Sequence, residues 1–164
     1  MKDLVFEKNA WESLKNPCEK GYPKEVCGLL FGPAGERKVT KVEVLSNLLD
    51  GSHSERLAEL LNKGEVVLAK DRMDGGGKFE FVIDPAEHYK KIALFEKEGL
   101  DQIGLFHSHP DHPAEPSPTD ASQPYLAGWS NIIVAVHQGK FKGARSWTRE
   151  KEDSPFQEQK ILVQ

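Results

Sequence analysis

The feature that most constrains this chain is the run Gln102-Ile103-Gly104-Leu105-Phe106-His107-Ser108-His109-Pro110. It reads as a strand that proline stops. Side chains two apart on a strand point to the same face, so His107 and His109 project together, in line with Ile103 and Leu105. After six intervening residues Pro110 is followed by Ser117-Pro118-Thr119-Asp120, which has the form of a capping box with proline at the first helical position. Four of the ten prolines fall between Pro110 and Pro118, and they stiffen the connection. A stiff loop can hold a remote ligand over the strand end. Two imidazoles and a carboxylate at this spacing form a three-ligand transition-metal site. Zinc suits it best and keeps a fourth position open for a water.

Blander readings exist for each part. A His-x-His pair on one strand face can be a polar cluster with no metal, and an acid at the third helical position of a capping box serves the helix alone. Capping explains Ser117 and Asp120 but leaves the histidines unexplained. A strand that stops at the pair, with a carboxylate eleven residues beyond His109, favours the metal.

Elsewhere the chain alternates strands and helices. Leu4-Val5-Phe6 is a short strand, and Asn9 caps a brief helix with Trp11 and Leu14 on one face, which Pro17 should stop. The run Val26-Cys27-Gly28-Leu29-Leu30-Phe31-Gly32 suits a buried strand, and Lys38 to Leu45 a strand with one wet face. Residues 48–78 read as a loop insertion, with a helical turn or two at Ser54 to Leu61, an apolar patch at Val66-Val67-Leu68 and a glycine break at Asp74-Gly75-Gly76-Gly77. Phe79, Phe81 and Ile83 alternate as a strand, and Asp84-Pro85-Ala86-Glu87 announces a helix that carries Tyr89, Ile92 and Ala93 on one stripe and ends at Gly99. Pro124 and Gly128 keep the helix after Asp120 short or kinked. Asn131 to Val136 is a central strand, and Lys142 to Arg149 and Ile161 to Val163 are further strands. The class is α/β with a mixed sheet, in one domain spanning 1–164.

The charge balance is 22 Lys+Arg against 26 Asp+Glu. Basic residues are scattered rather than striped, which argues against nucleic acid as the main partner. No apolar run approaches a membrane span and no export signal is visible, so the expectation is a cytoplasmic protein away from membranes, with Cys18 and Cys27 as free thiols.

An open zinc site also needs a general base to take a proton from water and pass it to the leaving group. Glu25 is the best candidate, at the mouth of a core strand beside Gly28, where backbone could pass close to the site. Spacing alone does not choose it over Glu19, Asp111 or Glu115.

Taken together, Tyr22-Pro23-Lys24-Glu25-Val26-Cys27-Gly28-Leu29-Leu30-Phe31-Gly32, His107-Ser108-His109-Pro110 and Ser117-Pro118-Thr119-Asp120 resemble the JAMM, or MPN-plus, metalloprotease family, and most of all its small stand-alone prokaryotic members. The likeness extends through the Phe79 to Glu87 stretch and the Ile132 to Val136 strand. It implies an MPN (JAB1/MPN) domain whose curved mixed sheet is flanked by helices. It also implies zinc held by His107, His109 and Asp120, a fourth-position water activated by Glu25, and a hydrogen bond from Ser117 to the oxyanion of a tetrahedral intermediate. The implied substrate is the peptide or isopeptide bond after the C-terminal Gly-Gly tail of a ubiquitin-like or sulfur-carrier protein. Two alternatives belong to other classes. Non-catalytic MPN scaffolds that bind partners lose the ligands that this chain keeps. The RadC branch, tied to DNA repair, prefers Asn between the histidines and Ser-Gly after the proline, where this chain has Ser108 and Asp111-His112.

Overall fold

The computed structural model describes residues 1–66, 81–121 and 127–164. In chain order the elements are β1 (Leu4–Phe6), α1 (Lys8–Gly21), β2 (Cys27–Pro33), β3 (Lys38–Val39), β4 (Lys41–Leu45), α2 (Ser54–Asn62), α3 (Pro85–Glu96), β5 (Leu100–Pro110), α4 (Pro118–Ala121), β6 (Ser130–His137), β7 (Lys140–Thr148), β8 (Gln157–Gln159) and β9 (Ile161–Val163). The strands form a six-stranded sheet in the order β4-β2-β5-β6-β7-β8 and a three-stranded sheet in the order β3-β1-β9. In the large sheet β5 and β6 run parallel and every other pair runs antiparallel. The protein is α/β with a mixed sheet.

The central strands β2, β5 and β6 are apolar on both faces, as strands covered on both sides must be. One face carries Leu30, Phe106, Ile132, Val134 and Val136. It packs against β1 through Leu4 and Phe6, and against α1 through Ala10, Leu14 and Cys18. The other face carries Leu29, Phe31 and Leu105 and is covered by Phe95 and Ile92 of α3. Gly28 owes its identity to this packing, since a methyl there would collide with the Phe106 ring and the Glu43 carbonyl. The neighbour that requires glycine is thus core.

Several sequence expectations change. Helix α1 runs through Pro17 to Gly21 and has Glu7, not Asn9, at its cap. Burial of Ala10, Leu14 and Cys18 at i, i+4 and i+8 outweighs the hydrogen bond that proline removes. Trp11 packs with Leu14 as expected, edge-on to Phe6 with ring centroids 5.1 Å apart. Ile103 does not share the histidine face. The β2–β5 register shifts between Leu30 and Phe31, which pair with Gly104 and Gln102, so Ile103 is the extra residue of a β-bulge and joins Phe106 in the core beneath α1. Tyr89 is exposed, and α3 buries Phe95 instead.

Residues 81–84 form no strand, because Val82 donates its N–H to Asn47 Oδ1 at 3.1 Å and accepts from Leu48 N at 2.9 Å. Most of the apolar patch and the glycine break (67–68 and 74–77), with Phe79 and Pro124, lie outside the described residues. The expected loop at 48–66 is built around α2, whose Leu57 and Leu60 pack on Leu48, Leu49 and Val82. Strand β8 carried no sequence signal. Among the described residues, no helix is long and apolar enough to cross a membrane.

Asp84 starts α3 as expected: its Oδ1 accepts from Ala86 N at 2.9 Å, with Pro85 at the first helical position. It also joins α2 to α3 through a two-pronged bond with Arg56, at 2.8 and 2.9 Å. The Arg56 hydrogen bond, opposed by burial and helped by the cap, holds its carboxyl below the usual aspartate range. A depressed acid stabilises the fold above its unfolded pKa of about 3.9 and stops doing so as pH falls through the lower folded value. Asp84→Ala should therefore cost roughly 1–2 kcal/mol at pH 7, and the gap between parent and variant should narrow below about pH 4. Urea melts at pH 7 and pH 3 measure both.

Candidate metal centre

The carboxyl end of β5 positions the two histidines. His107 pairs across the sheet with Cys27 on one side and Ile133 on the other, and His109 pairs with Ala135. A residue so flanked in a central strand has little freedom. The Phe81 ring stacks on His107 at 4.6 Å between centroids, fixing the imidazole plane. His109 is fixed differently: its Nδ1 lies 2.8 Å from the Pro113 carbonyl. A carbonyl only accepts, so Nδ1 carries the proton and the Nε2 lone pair points to the centre.

The connection from β5 to β6 brings Asp120 back on α4. Ser117 Oγ accepts from Asp120 N at 3.0 Å, and Ser117 N donates to Asp120 Oδ2 at 2.9 Å, so the capping box is real and reciprocal. The same carboxylate reaches both imidazoles. Oδ1 is 3.2 Å from His107 Nε2, Oδ2 is 3.1 Å from His109 Nε2, and the two Nε2 atoms are 3.1 Å apart. Capping and histidine contact are thus concurrent roles of one side chain. Burial alone would raise the Asp120 pKa, but positive charge at His107, hydrogen bonds from the two imidazoles when they are protonated, and the Ser117 N–H hold the carboxyl far below the usual range.

Glu25 stands one step back, its Oε1 4.0 Å from His107 Nε2. Its segment is tied to β5 on both sides of Val26: Val26 N donates to Ser108 Oγ at 2.8 Å, and Ser108 N donates to Val26 O at 2.9 Å. Asn47 Nδ2 adds a bond to the Glu25 carbonyl at 3.0 Å. All four side chains are buried, with exposures of 5% for Glu25, 3% for His107, 8% for His109 and 5% for Asp120. Glu25, His109 and Ser117 line one cavity of about 330 Å³, walled by Pro110, Pro113 and Pro116.

The structure thus brings together Glu25, His107, His109, Ser117 and Asp120. Glu19 instead accepts from Phe141 N, Asp111 accepts from Tyr22, and Glu115 pairs with Arg145 at the cavity rim. His112 contributes its carbonyl to His137 rather than its ring to the centre. Phe81, Asn47, Ser108 and the Pro113 carbonyl were missed. Ser108 lay inside the motif, and its alternation with the histidines was the available signal; the other three carried none. The cysteines are free and buried. Burial, reinforced by Glu19, pushes the Cys18 thiol up to about 12. Burial with the Glu25 and Glu87 charges pushes Cys27 up as well. Neither is a nucleophile near neutral pH.

The donor set fits a cation. With both rings neutral and His109 Nδ1 protonated, a lone pair on Nε2 faces a carboxylate oxygen and a second imidazole, all buried, and that convergence is repulsive until positive charge, from protons or a metal ion, lies between them. Separations of 3.1–3.2 Å are near the edge of about 3.3–3.4 Å that arms of about 2.0–2.1 Å give a tetrahedron. Two triads are available. Glu25, His107 and His109 also present ligand atoms within 4.8 Å of one another, but Asp120 is the carboxylate in contact with both rings.

Over residues 8–150 the sequence matches the family described as prokaryotic homologs of the JAB domain. The chain belongs to that JAB family. This JAB chain is similar to proteins named desampylase from Haloferax volcanii, 28% identical over 142 residues covering 87% of this chain and 80% of that one, and from Pyrococcus furiosus, 30% identical over 141 residues covering 85% and 76%. A shorter stretch, 40% identical over 43 residues and covering 26% of this chain and 29% of the other, matches a probable TtuB-protein conjugate cleaving protease from Thermus thermophilus. The crystal structure of a JAB1/MPN domain protein from Archaeoglobus fulgidus shares the JAB fold at a TM-score of 0.51, 15% identity and coverage of 97% and 99%.

Ser108→Ala should leave the Val26 N–H without its partner and loosen the Glu25 segment, costing about 1–2 kcal/mol. Thermal denaturation reads the cost, and amide exchange at Val26 should rise above that of Leu29 in β2.

Proposed function

We propose that this JAB chain is a zinc-dependent hydrolase of the amide bond after the C-terminal Gly-Gly tail of a ubiquitin-like or sulfur-carrier protein. The observation that carries the reading is the convergence of His107, His109 and Asp120, with His109 Nδ1 on the Pro113 carbonyl so that the neutral ring turns an acceptor toward the carboxylate. Membership of the JAB family and the names of the similar proteins support the same direction.

In this reading His107, His109 and Asp120 hold the metal. Zinc, when bound, supplies Lewis acidity, lowering the pKa of water toward neutrality and polarising the scissile carbonyl. Glu25, a step outside the ligand triad and facing the same cavity, takes the proton of the attacking water and returns it to the leaving amine. Ser117 serves the helix and the reaction through different halves of its hydroxyl. The oxygen lone pair accepts Asp120 N, which leaves the O–H to donate to a developing oxyanion. A Gly-Gly tail has no side chains to clash with the proline-walled cavity, and its extended backbone can add to a sheet edge.

Two substitutions separate the roles of the two carboxylates. Asp120→Ala should lose zinc on purification, whereas Glu25→Gln should keep it and lose roughly 10²- to 10⁴-fold in turnover. Metal content by mass spectrometry is read beside release of C-terminal extensions from sulfur-carrier proteins. Parent-rate cleavage by Glu25→Gln would sink the base assignment, and loss of zinc from it would make Glu25 a ligand.

Chelation supplies an independent readout. Zinc that binds only the folded chain should add about 2.7 kcal/mol at a hundredfold excess over Kd, seen as a fall in melting temperature with chelator. His109→Ala should show no such difference.

A further inference from the structure

Arg149 directly follows β7, and residues two apart on a strand face the same way. Arg145, Trp147 and Arg149 all reach into the β5–β6 connection. Arg145 Nη1 donates to Glu115 at 3.1 Å, Trp147 Nε1 donates to the Ala114 carbonyl at 2.9 Å, and Arg149 Nη1 donates to the Ala121 carbonyl at 2.8 Å. The second and third of these bonds land beside the metal centre. Ala114 follows Pro113, whose carbonyl fixes His109 Nδ1, and Ala121 follows Asp120. Both anchors are themselves held. Trp147 packs on Ala114, Ile133 and Ala135. Arg149 is 6% exposed, with its guanidinium 4.6 Å over the Phe156 ring, and its backbone carbonyl accepts from Gly128 N at 2.9 Å.

In α4, Ala121 N donates to Ser117 O at 3.0 Å, and the Ala121 carbonyl accepts from Arg149 Nη1. Arg149 thus holds the backbone one residue from Asp120. We propose that Trp147 and Arg149 are positioning residues that set the geometry of the metal centre from β7. Trp147 acts through Pro113-Ala114 on His109, and Arg149 acts through Ala121 on Asp120. The inference rests on the reading of His107, His109 and Asp120 as metal ligands.

The test uses the full chain and two metals. Trp147→Phe deletes the indole N–H and keeps an aromatic ring. Arg149→Met deletes the guanidinium and keeps an apolar stem, and Arg149→Lys restores a cationic donor. In competition with a chromophoric chelator, both deletions should weaken zinc affinity by about 10- to 100-fold, with partial recovery in Arg149→Lys. The visible bands of the cobalt-loaded proteins, which report ligand geometry, should shift in both deletions. Cys18→Ala, buried in α1 away from the centre, should lower the melting temperature without changing either readout. Parent-like zinc affinity and cobalt bands in both deletions overturn the inference and leave the metal reading standing. Equal loss of affinity in Cys18→Ala also overturns it, by making the effect one of general destabilisation. A parent chain that takes up neither metal overturns both readings.

Discussion

Two neighbouring parallel strands cannot be joined by a tight turn, and in this protein everything at the site descends from that constraint. β5 and β6 pair in parallel, from Gly104 with Ser130 to Pro110 with Val136, so the chain leaving Pro110 must travel back the length of the sheet before it can begin β6. The connection starts at the strand end where His107 and His109 project. Its return path puts α4 and Asp120 over them. The carboxylate is remote from the histidines in sequence because of the crossover and adjacent in space for the same reason.

The second requirement is that three electron-rich donors be kept together in a buried place. Each is held by a different kind of contact. Ring stacking from Phe81 fixes His107, a backbone carbonyl fixes His109, and a capping box fixes Asp120. Only the last belongs to the local chemistry of a helix start. The others come from segments distant in the chain or from loop backbone, so the centre depends on the tertiary fold more than on any one element. Glu25 is similar: its position is secured by Ser108, the residue between the two histidines, so Glu25 and the histidines share one anchor.

What could be read in the sequence follows from this. The His-x-His-Pro strand end and the Ser-Pro-x-Asp helix start are local patterns whose residue types dictate their own geometry, and they hold in the structure. Glu25 had no local pattern to distinguish it from Glu19 or Asp111, because what selects it is hydrogen bonding between Val26 and Ser108 across 82 positions; resemblance singled it out where spacing could not. Pro17 misled because propensity is a weak argument against a buried stripe. Phe81 and Asn47 were illegible because they act through long-range contacts, Phe81 on His107 and Asn47 on Glu25 and Val82. Phe79 to Ile83 looked like a strand, yet Val82 spends its backbone N–H on a side chain.

The bulge at Ile103 has a further consequence. It divides β5 into two stretches that obey separate registers against β2: Leu100 to Gln102, and Gly104 onward. A strand of uniform register has no tolerance for a change in length, since losing one residue turns every later side chain to the opposite face. Here, removal of the extra residue would erase the bulge and leave Leu105 opposite Leu29 and His107 opposite Cys27. The opening stretch of the strand can therefore drift by one residue while the histidines keep facing Asp120, which makes the bulge a point of slack placed just upstream of the most exacting part of the fold.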